Sequence, residues 1–493
     1  MQPQQSITII GAGLAGLSAG VFARKAGFKV TLFEHHSKPG GVCTSWRRGE
    51  KKAYIVDGCI HWLMGSKSNS PLYRLYEELG ALNGVHLETI KNFGHFEWDD
   101  GRTFAFTQDF ARLESDLRKL FPEDFAIIDE LMRAIRAFQN NKTDWSVLGD
   151  ARNWISKAKA FWGMRRQLKY YGRYRLSAKE YSSRIKDPFF AWIIQNIFMP
   201  EIPMFFAFMI LGQLVDGELS FPREGSLAFA RGIEKKFKEL GGDLRYNSNV
   251  EEIVVEDGKA VGVRLFGGTE FRSDIVIAAG DIHSTLYKLL GGRFVDYKWI
   301  ERFQKWPLFT PICLLSFGIN RTFKDEPSAQ LSRLRTAIDS GGHSEQNLFI
   351  KLFNGTQDLA PPGKTVLQVL LPTQFDYWNN LLTNDPERYL AEKSRVTEEV
   401  LAALETRYPG IRSDIEMTDV ATPTTFVRYT RNYQGAWEGW MISPESFAKR
   451  VSKTLPGLKN FYLTGQWVEP GGGVPTVLMS GRSVVRQIMK AKI

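Results

Sequence analysis

Cysteine is scarce in this 493-residue chain, which contains only Cys43, Cys59 and Cys313. Without a CxxC spacing, three cysteines exclude a disulfide framework and a zinc ribbon. Their scarcity fits a reducing compartment and predicts a cytoplasmic location. Long hydrophobic runs are also missing, because no 18 consecutive apolar residues occur, so no transmembrane helix is predicted. No charged residue precedes the first apolar run, which argues against a signal peptide. The seven histidines are scattered, and we predict no metal site.

One segment accounts for the whole excess of positive charge. The formal net charge is +10, and residues 151–186 hold eleven Lys/Arg and a single acid, Glu180. Helical spacing puts Trp154 and Phe161 on one face of this segment and leaves basic residues such as Arg166 available to the other side. We assign Arg165 and Arg166 to the predicted membrane contact. A basic amphipathic helix with aromatic residues is typical of attachment to a membrane surface. The alternatives are a solvated helix face and, without any accompanying RNA-binding motif, a single-stranded nucleic-acid site; we predict no nucleic-acid partner.

A glycine motif opens the chain. Ser6–Ile10 is a short apolar run typical of a buried strand, and Gly11-Ala12-Gly13-Leu14-Ala15-Gly16 follows it before a helical stretch. Gly11 permits a tight turn, Gly13 lets the backbone approach a pyrophosphate, and Gly16 lets the helix pack closely on the strand. A second predicted strand, residues 28–33, ends at Glu34, which is placed to bind ribose hydroxyls and to repel a 2′-phosphate. This pattern predicts a dinucleotide site for FAD or NAD.

Two further glycine-rich segments carry a family resemblance. Pro39-Gly40-Gly41 follows Glu34, and near the C-terminus Thr464-Gly465-Gln466 precedes Pro470-Gly471-Gly472-Gly473-Val474-Pro475-Thr476-Val477. Together they resemble the FAD-dependent superfamily of phytoene desaturases, carotenoid isomerases and retinol saturases, which belongs to the amine-oxidase-like flavoproteins. The resemblance implies FAD as cofactor. It implies cofactor contacts from Gly11, Gly13, Ala15, Gly16, Glu34, Gly40, Gly41, Val250, Gly280, Asp281, Gly465, Gln466, Val474, Pro475, Thr476 and Val477.

A histidine–aromatic pair departs from the usual phytoene desaturase pattern. Asp57-Gly58-Cys59-Ile60-His61-Trp62 stands where those enzymes have a Gly-Pro pair, and it looks more like retinol saturases. The resemblance implies that His61 and Trp62 lie near the flavin. His61 is our candidate proton donor or acceptor, and the alternative is a hydrogen-bonded structural histidine.

The resemblance implies an α/β fold with a Rossmann-type FAD-binding domain built from discontinuous segments. We assign this domain to residues 1–65, 220–285 and 456–493, and a mixed α+β substrate domain to 66–150 and 286–455. Residues 151–219 form a basic and aromatic helical insertion. Residues 320–347 are polar, which predicts a mobile surface loop within the substrate domain. The first insertion into the FAD-binding domain, residues 66–219, is predicted to be mostly helical.

A cluster of Phe, Trp and Met between residues 189 and 209 points to the substrate. It includes Trp192, Phe205 and Phe206. Aromatic and Met side chains suit a long apolar tunnel, although an ordinary buried helix pair has the same composition. With the resemblance, this predicts a lipophilic substrate that enters from a membrane surface. The sequence does not indicate an oligomeric state.

The predicted function is an FAD-dependent oxidoreductase of the phytoene desaturase and retinol saturase type. It would desaturate, saturate or isomerise a carbon–carbon double bond in a carotenoid, retinoid or other isoprenoid, by hydride transfer with flavin N5. One alternative is an FAD-dependent amine oxidase. Another, of a different class, is a non-catalytic membrane-associated protein that binds lipid or flavin.

Overall fold

The computed structural model describes residues 4–139, 162, 165–354, 358–446, 449 and 451–491. Its strands are β1 (Ser6–Ile10), β2 (Lys29–Phe33), β3 (Ser45–Arg48), β4 (Tyr54–Asp57), β5 (Leu63–Met64), β6 (Leu87–Thr89), β7 (Asn92–Glu97), β8 (Thr103–Thr107), β9 (Leu219–Pro222), β10 (Asp243–Arg245), β11 (Val250–Glu256), β12 (Lys259–Leu265), β13 (Glu270–Arg272), β14 (Ile275–Ala278), β15 (Ile312–Ile319), β16 (Ala329–Asp339), β17 (Ser344–Phe353), β18 (Thr365–Pro372), β19 (Ile415–Ala421) and β20 (Phe461–Leu463).

The α-helices in this part of the chain are α1 (Leu14–Lys25), α2 (Pro71–Glu78), α3 (Phe110–Leu120), α4 (Phe125–Phe138), α5 (Arg165–Arg173), α6 (Ala178–Ser182), α7 (Pro188–Asn196), α8 (Met204–Val215), α9 (Ser226–Glu239), α10 (Tyr297–Lys305), α11 (Phe375–Asn384), α12 (Pro386–Arg407), α13 (Ile411–Asp414), α14 (Pro423–Thr430) and α15 (Val474–Ala491). The last of these, α15, packs against α1, and α9 packs on the same helix from another side.

A five-stranded parallel sheet holds the first glycine motif. Its order is β10-β2-β1-β14-β20, and every neighbouring pair is parallel. The central strand β1 is apolar because helices cover both faces of such a sheet, and Ile9 pairs with Leu32 on one side and Ile277 on the other. Strands from three distant parts of the sequence therefore meet in one α/β layer. The proposed domain boundaries themselves remain a prediction.

A seven-stranded mixed sheet forms the second layer, in the order β19-β15-β18-β17-β16-β7-β8. The prediction of a mobile loop over residues 320–347 is wrong, because β16 and the start of β17 occupy most of it. These strands pair antiparallel, from Ala329↔Lys351 to Asp339↔Ser344. Gly341 and Gly342 have φ of 63° and 78° and close the hairpin. Some of the polar residues that suggested a loop, including Arg335, Thr336 and Ser344, are exposed, whereas Gln330 and Ser332 are buried.

The first insertion is less helical than the sequence predicts. Strands β7 and β8 leave it and extend the seven-stranded sheet, with β7 parallel to β16 through Leu331↔Phe96. The helices that remain, α4, α7 and α8 among them, enclose an aromatic core. Phe121 stacks on Phe190 with ring centroids 4.7 Å apart, and Phe138 meets Phe205 edge-on. Burial of these rings, at roughly 25 cal/mol per Å² of apolar surface, holds the helices to the sheet.

Candidate active site

One large cavity, of about 1370 Å³, begins at the carboxyl ends of the parallel strands and continues toward the seven-stranded sheet. Ile10 and Phe33, the last residues of β1 and β2, line its inner end. This position is the usual ligand site of open α/β sheets, because adjacent loops separate there and leave a crevice.

The first glycine loop forms one wall of the crevice. Gly11 has φ of 100° and its N–H bonds to the Phe33 carbonyl at 2.8 Å, so the chain turns sharply out of β1. Gly13 precedes helix α1 and pairs with Gly40 of the second loop. Gly16 does not line the cavity. A Cβ at Gly16 would lie 2.0 Å from the Gly11 carbonyl oxygen, so its role is the close packing of helix on loop.

Glu34 stands directly after β2 with its carboxylate fixed from two sides. One oxygen accepts the Ala12 N–H at 2.7 Å and the other accepts the His36 N–H at 2.8 Å, with His35 Nδ1 at 3.0 Å. Burial by itself would raise the pKa of Glu34, but the bonds from His35, His36 and Ala12 together lower it. The carboxylate is therefore ionised at neutral pH and can accept further hydrogen bonds from hydroxyl groups.

Val250, Gly280 and Asp281 line the same end of the cavity. A Cβ added to Gly280 would meet nothing within 4 Å, so the backbone there borders open space. The Asp281 carboxyl accepts the Ser284 N–H at 2.6 Å and the Tyr433 N–H at 2.8 Å. Burial raises its pKa to about 6 against these bonds. Asp281 therefore connects the loop after β14 to the segment around Tyr433 through hydrogen bonds.

The C-terminal glycine-rich segment closes the crevice from the opposite side. Gly465 and Gln466 follow β20, and helix α15 begins after Gly473, so that Val474, Pro475, Thr476 and Val477 all line the cavity. A Cβ at Gly481 would approach the Ala15 carbonyl oxygen to 2.6 Å. The close crossing of α1 and α15 thus brings the N-terminal ends of two helices, with their partial positive charge, to one cavity.

Aromatic rings surround the other arm of the cavity. His61 lies 6.0 Å from Trp437 and 6.2 Å from Phe349, measured between ring centroids. Trp62 packs on Phe198 at 5.4 Å. Further apolar side chains of the arm are Phe93, Met199, Phe205, Phe206 and Met209. The arm is an apolar channel that leads away from the glycine loops.

His61 has an unpaired ring nitrogen. Its Nδ1 is buried and has no hydrogen-bond partner among the described residues. Burial, together with the ammonium of Lys351, holds the pKa of His61 well below its usual range. The ring is therefore a neutral imidazole at physiological pH, and the prediction that it is proton-active remains a prediction.

A buried lysine and a buried aspartate near His61 were missed as site residues by the sequence analysis. Lys351, on β17, is 7% exposed, and its Nζ donates to the Ile60 carbonyl at 2.9 Å. Asp57 accepts the Ser226 N–H at 2.5 Å and the Ser226 hydroxyl at 2.7 Å. Burial lowers the pKa of Lys351 to about 8, although Asp57 raises it. A lysine within the apolar run Leu348–Phe353 was the available signal.

Glu438 was also missed as a site residue. It lines the cavity beside Trp437, and burial raises the pKa of its carboxyl to about 8. An acid between two tryptophans, in Ala436-Trp437-Glu438-Gly439-Trp440, was the signal that the sequence offered.

Comparison with known proteins identifies the fold and family. The sequence model of flavin containing amine oxidoreductases matches residues 14–489. The chain belongs to this family. It is similar to the lycopene-forming phytoene desaturase of Pseudescherichia vulneris, with 26% identity over 96% of this chain and 97% of the relative. It is also similar to the chloroplastic prolycopene isomerase of Daucus carota, with 24% identity over 96% of this chain and 78% of the relative.

Solved structures share the fold. Putrescine oxidase bound to putrescine superposes with a TM-score of 0.61 over 99% of both chains, at 14% identity. An oxidoreductase from Methanosarcina mazei gives 0.56 over 98% of this chain and 100% of that one, at 17% identity. The α/β fold and the family resemblance inferred from the sequence are confirmed, and the protein is an FAD-dependent oxidoreductase.

The cavity fits FAD at its glycine-lined end. Among the described residues, a Cβ added to Gly13 would come within 4 Å of one atom, the Gly40 carbonyl oxygen at 4.0 Å, and a Cβ added to Gly473 would meet nothing within that distance. These positions leave room for a ligand to approach the backbone. The ionised Glu34 lies at the end of β2, where a ribose would be met in this fold. Among the predicted cofactor residues, all except Gly16 line this one cavity.

The residues predicted to contact substrate or membrane lie in different parts of the structure. Phe205 and Phe206 line the cavity, whereas Trp192 does not. Trp192 packs on Phe96 and Trp98 and donates its indole N–H to Asn347 at 2.9 Å, and its role as a substrate contact remains a prediction. Trp154 and Phe161 lie outside the described residues. Arg165 and Arg166 are in helix α5. No helix in the described ranges is long and apolar enough to cross a membrane.

Proposed function

We propose that this protein uses FAD to desaturate, saturate or isomerise a carbon–carbon double bond in a long apolar polyene, such as a carotenoid, a retinoid or another isoprenoid. The observation that carries the proposal is the aromatic arm of the cavity. A conjugated chain is flat and polarisable, and it packs well between rings such as Trp62, Phe198 and Phe206. The similarity to phytoene desaturases and a prolycopene isomerase supports the same substrate class.

In the proposed complex, the glycine loops and two helix N-termini hold the pyrophosphate and the flavin ring, and Glu34 accepts hydrogen bonds from ribose hydroxyls. FAD supplies the hydride acceptor or donor. The protein excludes water with its aromatic arm and orients the polyene. His61 lines this arm, and its Nδ1, which has no partner in the described part of the chain, is our candidate acceptor for a proton or a hydrogen bond.

The test is anaerobic absorbance of the bound flavin. Oxidised protein and dithionite-reduced protein are mixed separately with a panel of polyenes in liposomes, and the recovered polyene is analysed for isomers. Bleaching of oxidised flavin identifies a desaturase, and recovery of colour in reduced flavin identifies a saturase. Flavin unchanged in both states, with every polyene recovered in its original geometry, would refute the proposal.

An amine oxidase is the second candidate, because putrescine oxidase shares the fold. The same absorbance assay with a panel of primary and secondary amines distinguishes the two. Amine-dependent bleaching with peroxide release under air, and no response to polyenes, would replace the polyene proposal. FAD that responds to neither class would support the non-catalytic carrier.

The basic segment 151–186 supports peripheral attachment to a membrane. Trp162, within it, is 69% exposed. Each Lys or Arg close to an anionic surface contributes about 1 kcal/mol. The Arg165→Glu/Arg166→Glu variant should therefore bind phosphatidylserine vesicles less tightly than wild type in a flotation assay at about 0.1 M salt. Equal binding of both proteins would contradict this proposal.

A further inference from the structure

Glu438 is held where the aromatic arm meets the C-terminal glycine turn. The Phe309 N–H bonds to the Gly439 carbonyl at 2.9 Å, and the Gly471 N–H bonds to the Trp440 carbonyl at 3.1 Å. A Cβ at Gly472 would lie 2.8 Å from the Glu438 carbonyl oxygen, so the glycine turn fits closely against this residue. The backbone of Glu438 is therefore fixed between two parts of the site.

The carboxyl of Glu438 has no hydrogen-bond partner within the described part of the chain. It lines the cavity, and no hydrogen bond or ion pair to it is found in the ranges that the structure describes. The Cys59 thiol is hydrogen-bonded to Cys43, and a negative charge on Glu438 raises the pKa of this thiol further. An unpaired buried carboxyl is costly, which suggests that it is retained to act on a ligand.

Its protonation state suits proton transfer to a ligand. Because burial raises the pKa of Glu438 to about 8, most molecules carry a neutral carboxylic acid there at pH 7. The pKa of His61, whose ring centroid lies 6.0 Å from that of Trp437, is lowered, so this side chain is neutral too. Proton transfer is most effective when the pKa of the group lies near the working pH. Glu438 meets this condition, whereas an imidazole far below its usual pKa is a weak base.

We propose that Glu438 is the catalytic acid–base residue that exchanges a proton with a carbon of the polyene. This rests on the proposed function and names the proton donor for it. The O–H bond of Glu438 breaks, and the electron pair of a C=C bond forms the new C–H bond. The resulting cation is delocalised over the remaining conjugated chain.

The cation is neutralised in one of two ways. In isomerisation, rotation occurs about the bond that has become single, and either hydrogen of the newly formed CH₂ group returns as a proton to the Glu438 carboxylate, so solvent deuterium can remain on the carbon. In saturation, a hydride supplied by reduced FAD neutralises the cation, and solvent reprotonates the carboxylate. Desaturation is the reverse, with Glu438 as the acceptor of the proton.

The first experiment observes the carboxyl directly in the FAD-loaded protein. Infrared difference spectra between pH 6 and pH 9.5 should contain a protonated-carboxyl C=O band that is lost with a midpoint near 8. The band should be missing in Glu438→Gln and present in Glu445→Gln, a control on the same segment whose exposed side chain lies outside the cavity. A band that persists in Glu438→Gln would show that another acid produces it and would overturn the assignment.

The second experiment follows the proton into the substrate. Wild type in D₂O should place deuterium at vinylic carbons of an isomerised polyene or at the newly saturated carbon of a reduced one, and Glu438→Gln should do so about 100-fold more slowly or worse. Glu438→Asp should retain part of the exchange. Unchanged FAD content and flavin absorbance show that each variant is folded.

The outcomes separate this proposal from the one that it rests on. If wild type neither bleaches nor recolours the flavin and isomerises no polyene, the proposed function fails and the polyene proton donor fails with it. If wild type acts on a polyene and Glu438→Gln exchanges deuterium at the same rate, only the assignment of Glu438 fails.

Discussion

The buried carboxyl of Glu438 should make the stability of this protein fall as pH rises. A carboxyl that titrates near 8 in the folded protein, and near its ordinary 4.5 in the unfolded chain, keeps its proton only in the folded state between those values. The unfolded chain then binds fewer protons, so the free energy of unfolding decreases with pH through this window and levels off above pH 8.

The magnitude follows from the two pKa values. At 1.36 kcal/mol per pKa unit, ionised Glu438 is disfavoured in the folded protein by roughly 5 kcal/mol. About 1 kcal/mol of this is already present at pH 5, so roughly 4 kcal/mol should be lost between pH 5 and pH 9. These values are upper limits, because water that enters the cavity solvates the carboxylate. Glu438→Gln has the same shape without the titration.

The assay is urea unfolding of FAD-loaded wild type and Glu438→Gln at pH 5, 7 and 9, with free FAD held constant. The stability of the glutamine variant relative to wild type should increase with each step in pH. Glu445→Gln, the exposed control, should run parallel to wild type. A difference between Glu438→Gln and wild type that stays constant from pH 5 to pH 9 would refute the argument from burial.

Three further predictions concern the packing and charge of the site. Gly481→Val should lower the free energy of unfolding by about 2 kcal/mol or more, because the valine side chain would overlap helix α1. Gly172→Ala is the control, since the Cβ of Gly172 would meet open space, and it should not destabilise the protein. Calorimetric unfolding of the two variants tests the difference. Glu34→Ala should weaken FAD binding about tenfold or more, measured by flavin fluorescence, and unchanged affinity would exclude a ribose contact. Lys351→Met should lower the free energy of unfolding by about 1–3 kcal/mol, because the buried Ile60 carbonyl loses its donor and Asp57 loses a nearby positive charge. A combined Asp57→Asn/Lys351→Met variant should recover part of that loss, and additive losses would contradict the coupling.

The glycine motifs could be predicted from sequence because their chemistry is local. The turn at Gly11, the close helix at Gly16 and the acid at Glu34 each follow from a short run of residues whose backbone or side-chain requirement is specific. The three distant glycine-rich segments do line one cavity, and the aromatic residues Phe205 and Phe206 join them.

Other elements could not be predicted, because their partners are far away in the chain. The stretch 320–347 has the polarity of a loop, and only its pairing with β7 and β18 makes it part of a sheet. Trp192 belongs to the apolar cluster that predicted a substrate channel, but its contacts with Phe96 and Asn347 on neighbouring strands bury it. Composition cannot distinguish the wall of a channel from the inside of a core, because both are apolar.

The sequence by itself determined the cofactor, the α/β fold and the family, since these depend on short motifs with fixed backbone geometry. The tertiary structure alone decided which ionisable groups have unusual protonation states. Nothing in the local sequence distinguishes Glu438, Lys351 or His61 from other ionisable residues. Their pKa values are shifted because residues far away in the chain fold around them and exclude water. Desolvation is a property of the assembled cavity, and no local pattern encodes it.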